Sequence, residues 1–164
     1  RDEQNFSHYL EERLPAEVLL DAICDVTSSP ENFPGMPAGT RAIQVWDNRF
    51  PSYFLDTFGR SLRQSPCECG KSGAPTMSQA LHLMNAPEIA AKLSSSSGRI
   101  SKLAASNKSS DEILNDFALA AWGRLPNVRE RAAATKILSQ SDRRQAAEDL
   151  MWAMLNSYDF LFVR

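Results

Sequence analysis

Ser109-Ser110-Asp111-Glu112-Ile113-Leu114-Asn115-Asp116-Phe117-Ala118-Leu119-Ala120-Ala121-Trp122-Gly123 is the stretch on which the fold turns. Ser109 and Glu112 stand three apart, the spacing at which a hydroxyl and a carboxylate each take a backbone N–H of a helix's first turn. Ile113, Leu114, Phe117, Ala118, Ala121 and Trp122 then recur at helical intervals and lay a broad apolar stripe along the helix so begun. Gly123 follows where a left-handed cap ends such a helix. A stripe this wide needs neighbours to cover it.

Those neighbours are predicted on the C-terminal side. Pro126 suits the first position of a helix through about Gln140, with Val128, Ala132, Thr135 and Leu138 along its buried side. A further helix, about 142–156, buries Ala147, Leu150, Met151, Met154 and Leu155 at consistent spacing. The three helices predict a bundle. Phe160, Leu161, Phe162 and Val163 follow, and large apolar side chains left in water cost about 1.5–3 kcal/mol each, so this tail is expected to pack into the core.

On the N-terminal side, Leu14-Pro15 opens a helix running to about Thr27, with Val18, Leu19, Ala22, Ile23 and Val26 on one face. Leu20 and Cys24 fall opposite, so the helix is either covered on two sides or exposes a thiol, and partial cover is expected. Residues 28–39 and 60–75 are dense in proline and glycine and read as long loops. Between them, Ala42 to Trp46 reads as a short extended stretch and Pro51 to Phe58 as a short helix stopped by Gly59. Thr76 and Gln79 form a second capping box, predicting a helix over 77–85 whose apolar face is Met77, Ala80, Leu81 and Met84, with Ser78, His82 and Asn85 on a polar face. Pro87 starts another short helix through Leu93, Ser94 to Gly98 is a surface turn, and Ile100 to Ala105 adds a helical turn or two.

The fold class expected is therefore mainly α: one helical domain over residues 1–164, a bundle with long irregular loops and at most a short extended segment. A composition of 43% apolar and 23% charged residues over 164 positions is that of an ordinary globular domain. A net charge of −2 gives no overall electrostatic reason to seek nucleic acid. No apolar run approaches the roughly 18 residues of a transmembrane helix. Opening on Arg1-Asp2-Glu3, without an initiator Met, the chain reads as a piece of a longer precursor.

No motif forces a mechanism. Cys67-Glu68-Cys69, on a glycine-flanked loop, leaves open a metal site, a disulfide within the pair or with Cys24, and inert thiols; zinc would need His82 and Cys24 as further ligands. His82, beside Ser78 and Asn85, has the titration range of a general base, but nothing presents a nucleophile to it. Arg41, Trp46, Asp56, Arg60 and His82 are the candidate ligand or interaction residues. With Asp47 and Arg63 they could line a site for a sugar or a carboxylate, or form arginine–aspartate pairs that lock the loops. No cofactor is expected within this chain.

Asn5-Phe6-Ser7-His8-Tyr9, Arg13-Leu14-Pro15-Ala16-Glu17, Phe54-Leu55-Asp56-Thr57-Phe58-Gly59-Arg60, Pro66-Cys67-Glu68-Cys69, Gln79-Ala80-Leu81-His82-Leu83-Met84-Asn85 and Trp152 to Ser157 with Phe160-Leu161-Phe162 resemble, in this order, planctomycete-specific domain 1, a bacterial domain of unknown function. The resemblance covers nearly the whole chain. It implies the C-terminal part of an exported multidomain protein, often one with a cytochrome c-like domain, in the periplasm or cell envelope, with companion domains of the same polypeptide as partners. Gly70-Lys71 stands where many members have Glu-Arg. No Cys-x-x-Cys-His motif is present, so any haem belongs to another part of such a protein. The implied compartment would favour a disulfide among the cysteines.

Overall fold

Ser109 and Glu112 cap a helix as their spacing requires. The Ser109 hydroxyl accepts the Glu112 N–H at 3.3 Å, and the Glu112 carboxylate accepts the Ser109 N–H at 2.7 Å. In the computed structural model, which describes residues 11–45, 50–60, 76–139 and 142–163, that helix is α6 (Ser110–Trp122), and Gly123 ends it at φ +65°. Ile113, Leu114, Phe117 and Ala118 are at most 1% exposed. They pack against α1 (Ala16–Thr27), α7 (Val128–Leu138) and α8 (Arg143–Leu155), so the chain is mainly helical around one buried cluster.

The elements between α1 and α6 are short: a 3₁₀ turn at Ala42–Gln44, then α2 (Tyr53–Thr57), α3 (Met77–Asn85), α4 (Pro87–Leu93) and α5 (Arg99–Ala104). The sequence reads Ala42 to Trp46 as extended, and the structure corrects this. Asp21 on α1 accepts the N–H groups of Ala42 at 2.7 Å and Ile43 at 3.1 Å, and the Gln44 amide accepts the Arg41 N–H, which together curl the backbone into the turn. Trp46 lies outside the described residues, as do residues 61–75, which the sequence reads as a loop.

α1 is covered on two sides as its pattern predicts, since Leu20 is 4% exposed alongside Leu19, Ile23 and Val26. Its C-terminal carbonyls are met by α5: the Arg99 guanidinium donates to the Val26 carbonyl at 2.8 Å. Gly98, just before α5, is closely packed: a Cβ there would sit 3.0 Å from the Thr27 carbonyl oxygen, so the α1–α5 backbones would have to give by a few tenths of an ångström. Gly98→Ala is therefore expected to cost about 1–3 kcal/mol in urea unfolding, although its φ of −72° suits alanine. A variant as stable as the parent would show that the α1–α5 contact yields freely.

The C-terminal helix forms as expected, with Asp142 accepting the N–H groups of Arg144 and Gln145, and Ala146, Ala147, Leu150, Met151, Met154 and Leu155 buried. The tail enters the core in part. After α9 (Tyr158–Leu161), which buries Phe160, β2 (Phe162–Val163) pairs antiparallel with β1 (Glu12–Arg13), leaving Leu161 and Phe162 half-buried and Val163 exposed.

Two helices start as predicted or nearly so but bury other faces. α7 begins at Val128, two residues after the Pro126 expected at its first position, and Asn127 caps it by accepting the Glu130 N–H at 3.0 Å. Val128 is 86% exposed and Ala132 and Thr135 also face water, whereas Leu138 is half-buried against the core as predicted and Ala134 is the fully buried residue. With this rotation Arg131 reaches Asp111 at 2.7 Å and Asn115 at 3.0 Å on α6, and Ala134, Ile137 and Leu138 turn to the core. In α3 the buried residues are Gln79, His82 and Leu83, while Met77, Leu81 and Met84 point outward.

The two caps have a pH consequence. Glu112 is held below its ordinary value of 4.5 by the Ser109 backbone and hydroxyl. Glu130 is held below it by the bidentate Arg124 guanidinium, at 2.8 and 2.9 Å, and by the Asn127 N–H. In both, the folded state binds the proton more weakly than the unfolded state. Their stabilisation is therefore present above pH 4.5 and is lost as pH falls through the depressed folded values. Unfolding followed against pH is expected to show this acid loss, reduced in Glu112→Gln with Glu130→Gln; an unaltered slope would rule the caps out as its source.

Candidate functional site

The candidate residues divide between two places. Arg41 leaves the 28–41 loop and pairs with carboxylates of α1, at 2.7 Å from Asp25 and 3.5 Å from Asp21. These two carboxylates hold its guanidinium above its ordinary pKa. Beside it is a surface cavity of about 260 Å³, lined by Asp21, Cys24, Asp25, Glu31, Thr40 and Arg41 among others. Lys92 of α4, with its side chain 8% exposed, donates to the Ser29 carbonyl at 3.1 Å and pairs with the lining residue Glu31 at 2.9 Å. Cys24 is a free, half-buried thiol; burial pushes its pKa up, opposed by Lys92.

Asp56, Arg60 and His82 gather around α2. Arg60 pairs with Asp56 at 2.8 Å, donates to the Phe50 carbonyl at 2.7 Å and stacks over the Phe50 ring at 5.0 Å. Its side chain is 6% exposed, and Asp56 keeps most of its surface in water. One nitrogen of Arg60, Nη1, is buried without a partner. His82 is packed among three rings, with centroids 5.1 Å from Tyr53, 5.6 Å from Phe54 and 5.9 Å from Phe58. Its Nε2 lies 3.0 Å from a Glu88 oxygen, in a direction that makes no hydrogen bond.

Gln79 fastens this cluster from the other side. It accepts from the Thr76 N–H and from Arg13, and donates to the Thr57 carbonyl at 3.0 Å; Arg13 in turn donates to the Phe58 carbonyl and stacks over the Phe58 ring. The polar atoms of α2 and α3 are thus directed at backbone carbonyls and at each other. His82 is a packed residue, and Ser78 and Asn85 are exposed on the surface.

Among the described residues no hydrogen bond or ion pair joins Arg41 to Asp56, Arg60 or His82, so the structure does not bring these four into one site. Trp46, Asp47, Arg63, Cys67 and Cys69 lie outside the described residues. Among those described, no cluster of three or more His, Cys, Asp or Glu side chains could hold a metal ion. Cys24 and His82, the added ligands a zinc site would require, have different surroundings, α1 with Lys92 and the α2 rings. Asp21 and Lys92 organise the Arg41 region, and the sequence reading missed both. An acidic residue between Leu20 and Ala22 on an apolar helix was the only signal available for Asp21.

Fold and geometry together define a mainly helical chain whose charged candidates serve its own loops and helix ends. Comparison with family models, with curated proteins and with solved structures finds no match to it. No helix among the described residues is long and apolar enough to cross a membrane.

Proposed function

We propose that this chain is a non-catalytic packing and interaction module of an exported multidomain protein, and that the outer stripe of α3 is the face it presents to a companion domain. The observation that carries the proposal is the exposure of Met77 at 75%, Leu81 at 52% and Met84 at 50%. At positions i, i+4 and i+7 they form one continuous helix face, the arrangement by which helices engage partners. Trp152 of α8 extends it, its ring N–H donating to the Met84 carbonyl at 3.2 Å. The described charged candidates pair within the chain: Arg60 with Asp56 at α2, and Arg41 with Asp21 and Asp25 on α1. The resemblance to planctomycete-specific domain 1 supports the exported, multidomain setting and a place in the periplasm or cell envelope.

The purified chain is expected to turn over nothing in a broad panel of hydrolase and oxidoreductase substrates. Turnover that disappears in Asp56→Asn, a substitution at a largely exposed side chain, would overturn the non-catalytic reading. A second reading, a small-ligand site of carbohydrate type, draws on the cavity beside Arg41, whose carboxylates and guanidinium could bond hydroxyl groups. Saturation-transfer NMR with a panel of sugars tests it, and a signal that persists in Arg41→Ala would remove the cavity from consideration.

A further inference from the structure

Near the C-terminal end of α1 a thiol and an amine meet, and neither serves the docking role proposed for α3. We propose that Cys24 and Lys92 form an oxidation-sensitive pair, in which hydrogen peroxide joins the Cys24 sulfur to the Lys92 nitrogen as a sulfenamide and so pins α1 to α4.

The neighbourhood of the pair carries the inference. Lys92 is fixed from two sides, by the Glu31 carboxylate at 2.9 Å and the Ser29 carbonyl at 3.1 Å. The Ser29 N–H in turn donates to the Cys24 carbonyl at 3.1 Å, which ties the lysine's anchor to the cysteine's own backbone. Burial raises the pKa of the thiol, and the Lys92 ammonium and the Glu31 N–H, both within reach of the sulfur, oppose that rise. A lysine so deeply packed has few other rotamers, so nitrogen and sulfur stay neighbours. The thiol itself is half-buried and lines the cavity of about 260 Å³, through which a small neutral oxidant can reach it.

The chemistry closes on these groups and one peroxide. The sulfur attacks a peroxide oxygen: an S–O bond forms, the O–O bond breaks, and the thiol proton leaves with the departing hydroxide as water. Sulfenic acids made this way condense with a neighbouring thiol or nitrogen. Cys24 is the one cysteine among the described residues, and Lys92 supplies the nitrogen. Glu31 accepts the ammonium proton, and the amine attacks sulfur. An S–N bond replaces the S–O bond, and the hydroxide departs with a second nitrogen proton as another water. Sulfur is thereby oxidised by two electrons and the peroxide reduced to water.

The test treats the whole chain with hydrogen peroxide, digests it with a glutamate-specific protease and reads the peptides by mass spectrometry without reduction. The expected product is the Cys24 and Lys92 peptides joined, at the sum of their masses less two hydrogens, and separated again by dithiothreitol. Cys24→Ser and Lys92→Arg should each abolish it. Lys92→Arg keeps the charge and should leave the Cys24 peptide carrying oxygen; circular dichroism of each variant confirms the helical fold. Because the link joins residues far apart in sequence, the oxidised parent should show a raised urea midpoint that falls back on adding dithiothreitol. Oxygen on Cys24 with Lys92 unlinked in the parent would overturn the inference, as would no change at Cys24 in excess peroxide or a bond from Cys24 to Cys67 or Cys69. A linked pair with an unchanged midpoint would overturn the pinning of α1 to α4.

Discussion

Phe117→Ala is expected to lower the stability of the chain by about 3–5 kcal/mol, the largest loss from any single truncation considered. Phe117 is 0% exposed and lies on the buried face of α6 with Ile113, Leu114 and Ala118. Removing the ring forfeits its transfer free energy and opens a void, and the neighbours have little freedom to fill it. α6 is held at its start by the Ser109–Glu112 box, at its end by Gly123, and sideways by Arg131 from α7. Total stability of a domain this size is on the order of 5–15 kcal/mol, so the variant should remain folded at room temperature with a clearly lowered urea midpoint. A loss below about 1 kcal/mol would mean that α6 is not the centre of the core.

Asp21→Ala is expected to cost about 2–4 kcal/mol, through hydrogen bonds rather than packing. The carboxylate is buried on α1 and accepts two backbone N–H groups, from Ala42 at 2.7 Å and Ile43 at 3.1 Å, besides approaching Arg41. Truncation leaves those donors without their acceptor while the 28–41 loop loses its anchor. Hydrogen exchange offers the sharper readout: the Ala42 and Ile43 amides should lose protection in the variant, and amides within α6 should keep theirs relative to global unfolding. Unchanged protection at Ala42 would show that another group holds the turn.

These two residues also mark how far the sequence could be read. Phe117 sits in a segment where capping box, apolar period and terminal glycine agree, so helix, boundaries and buried face were all legible. α3 and α7 had legible or nearly legible starts but not legible faces. α3 offers both Leu81 and Leu83, and the choice falls to Leu83 because Gln79 and His82 are drawn inward by Arg13, the Thr57 carbonyl and the α2 rings. The rotation of α7 goes with Arg131 reaching Asp111 and Asn115 on the neighbouring α6, contacts that no local period reports. Ala42 to Val45 has extended-type side chains, but a carboxylate 21 residues earlier captures its backbone.

The candidate site shows the same division. Asp56 and Arg60, four apart on and just beyond a short helix, are a pair the spacing suggests. Arg41 with Asp25, or Lys92 with Glu31, depends on chain segments brought together only by folding. The fate of Trp46, Cys67 and Cys69 lies beyond the described residues.

The short ladder between Glu12–Arg13 and Phe162–Val163 gives the chain a particular mechanical character. Its two described ends leave side by side, so a pull applied across residues 12 and 163 loads the ladder as a zipper, one hydrogen bond at a time, not as a shear across all of them. The strands should part at low force, with the Leu14 N–H to Leu161 carbonyl bond next in line, before the α6–α8 contacts bear load. Tethered at both ends, the domain would hang beside the line of tension as a closed loop whose seam opens first.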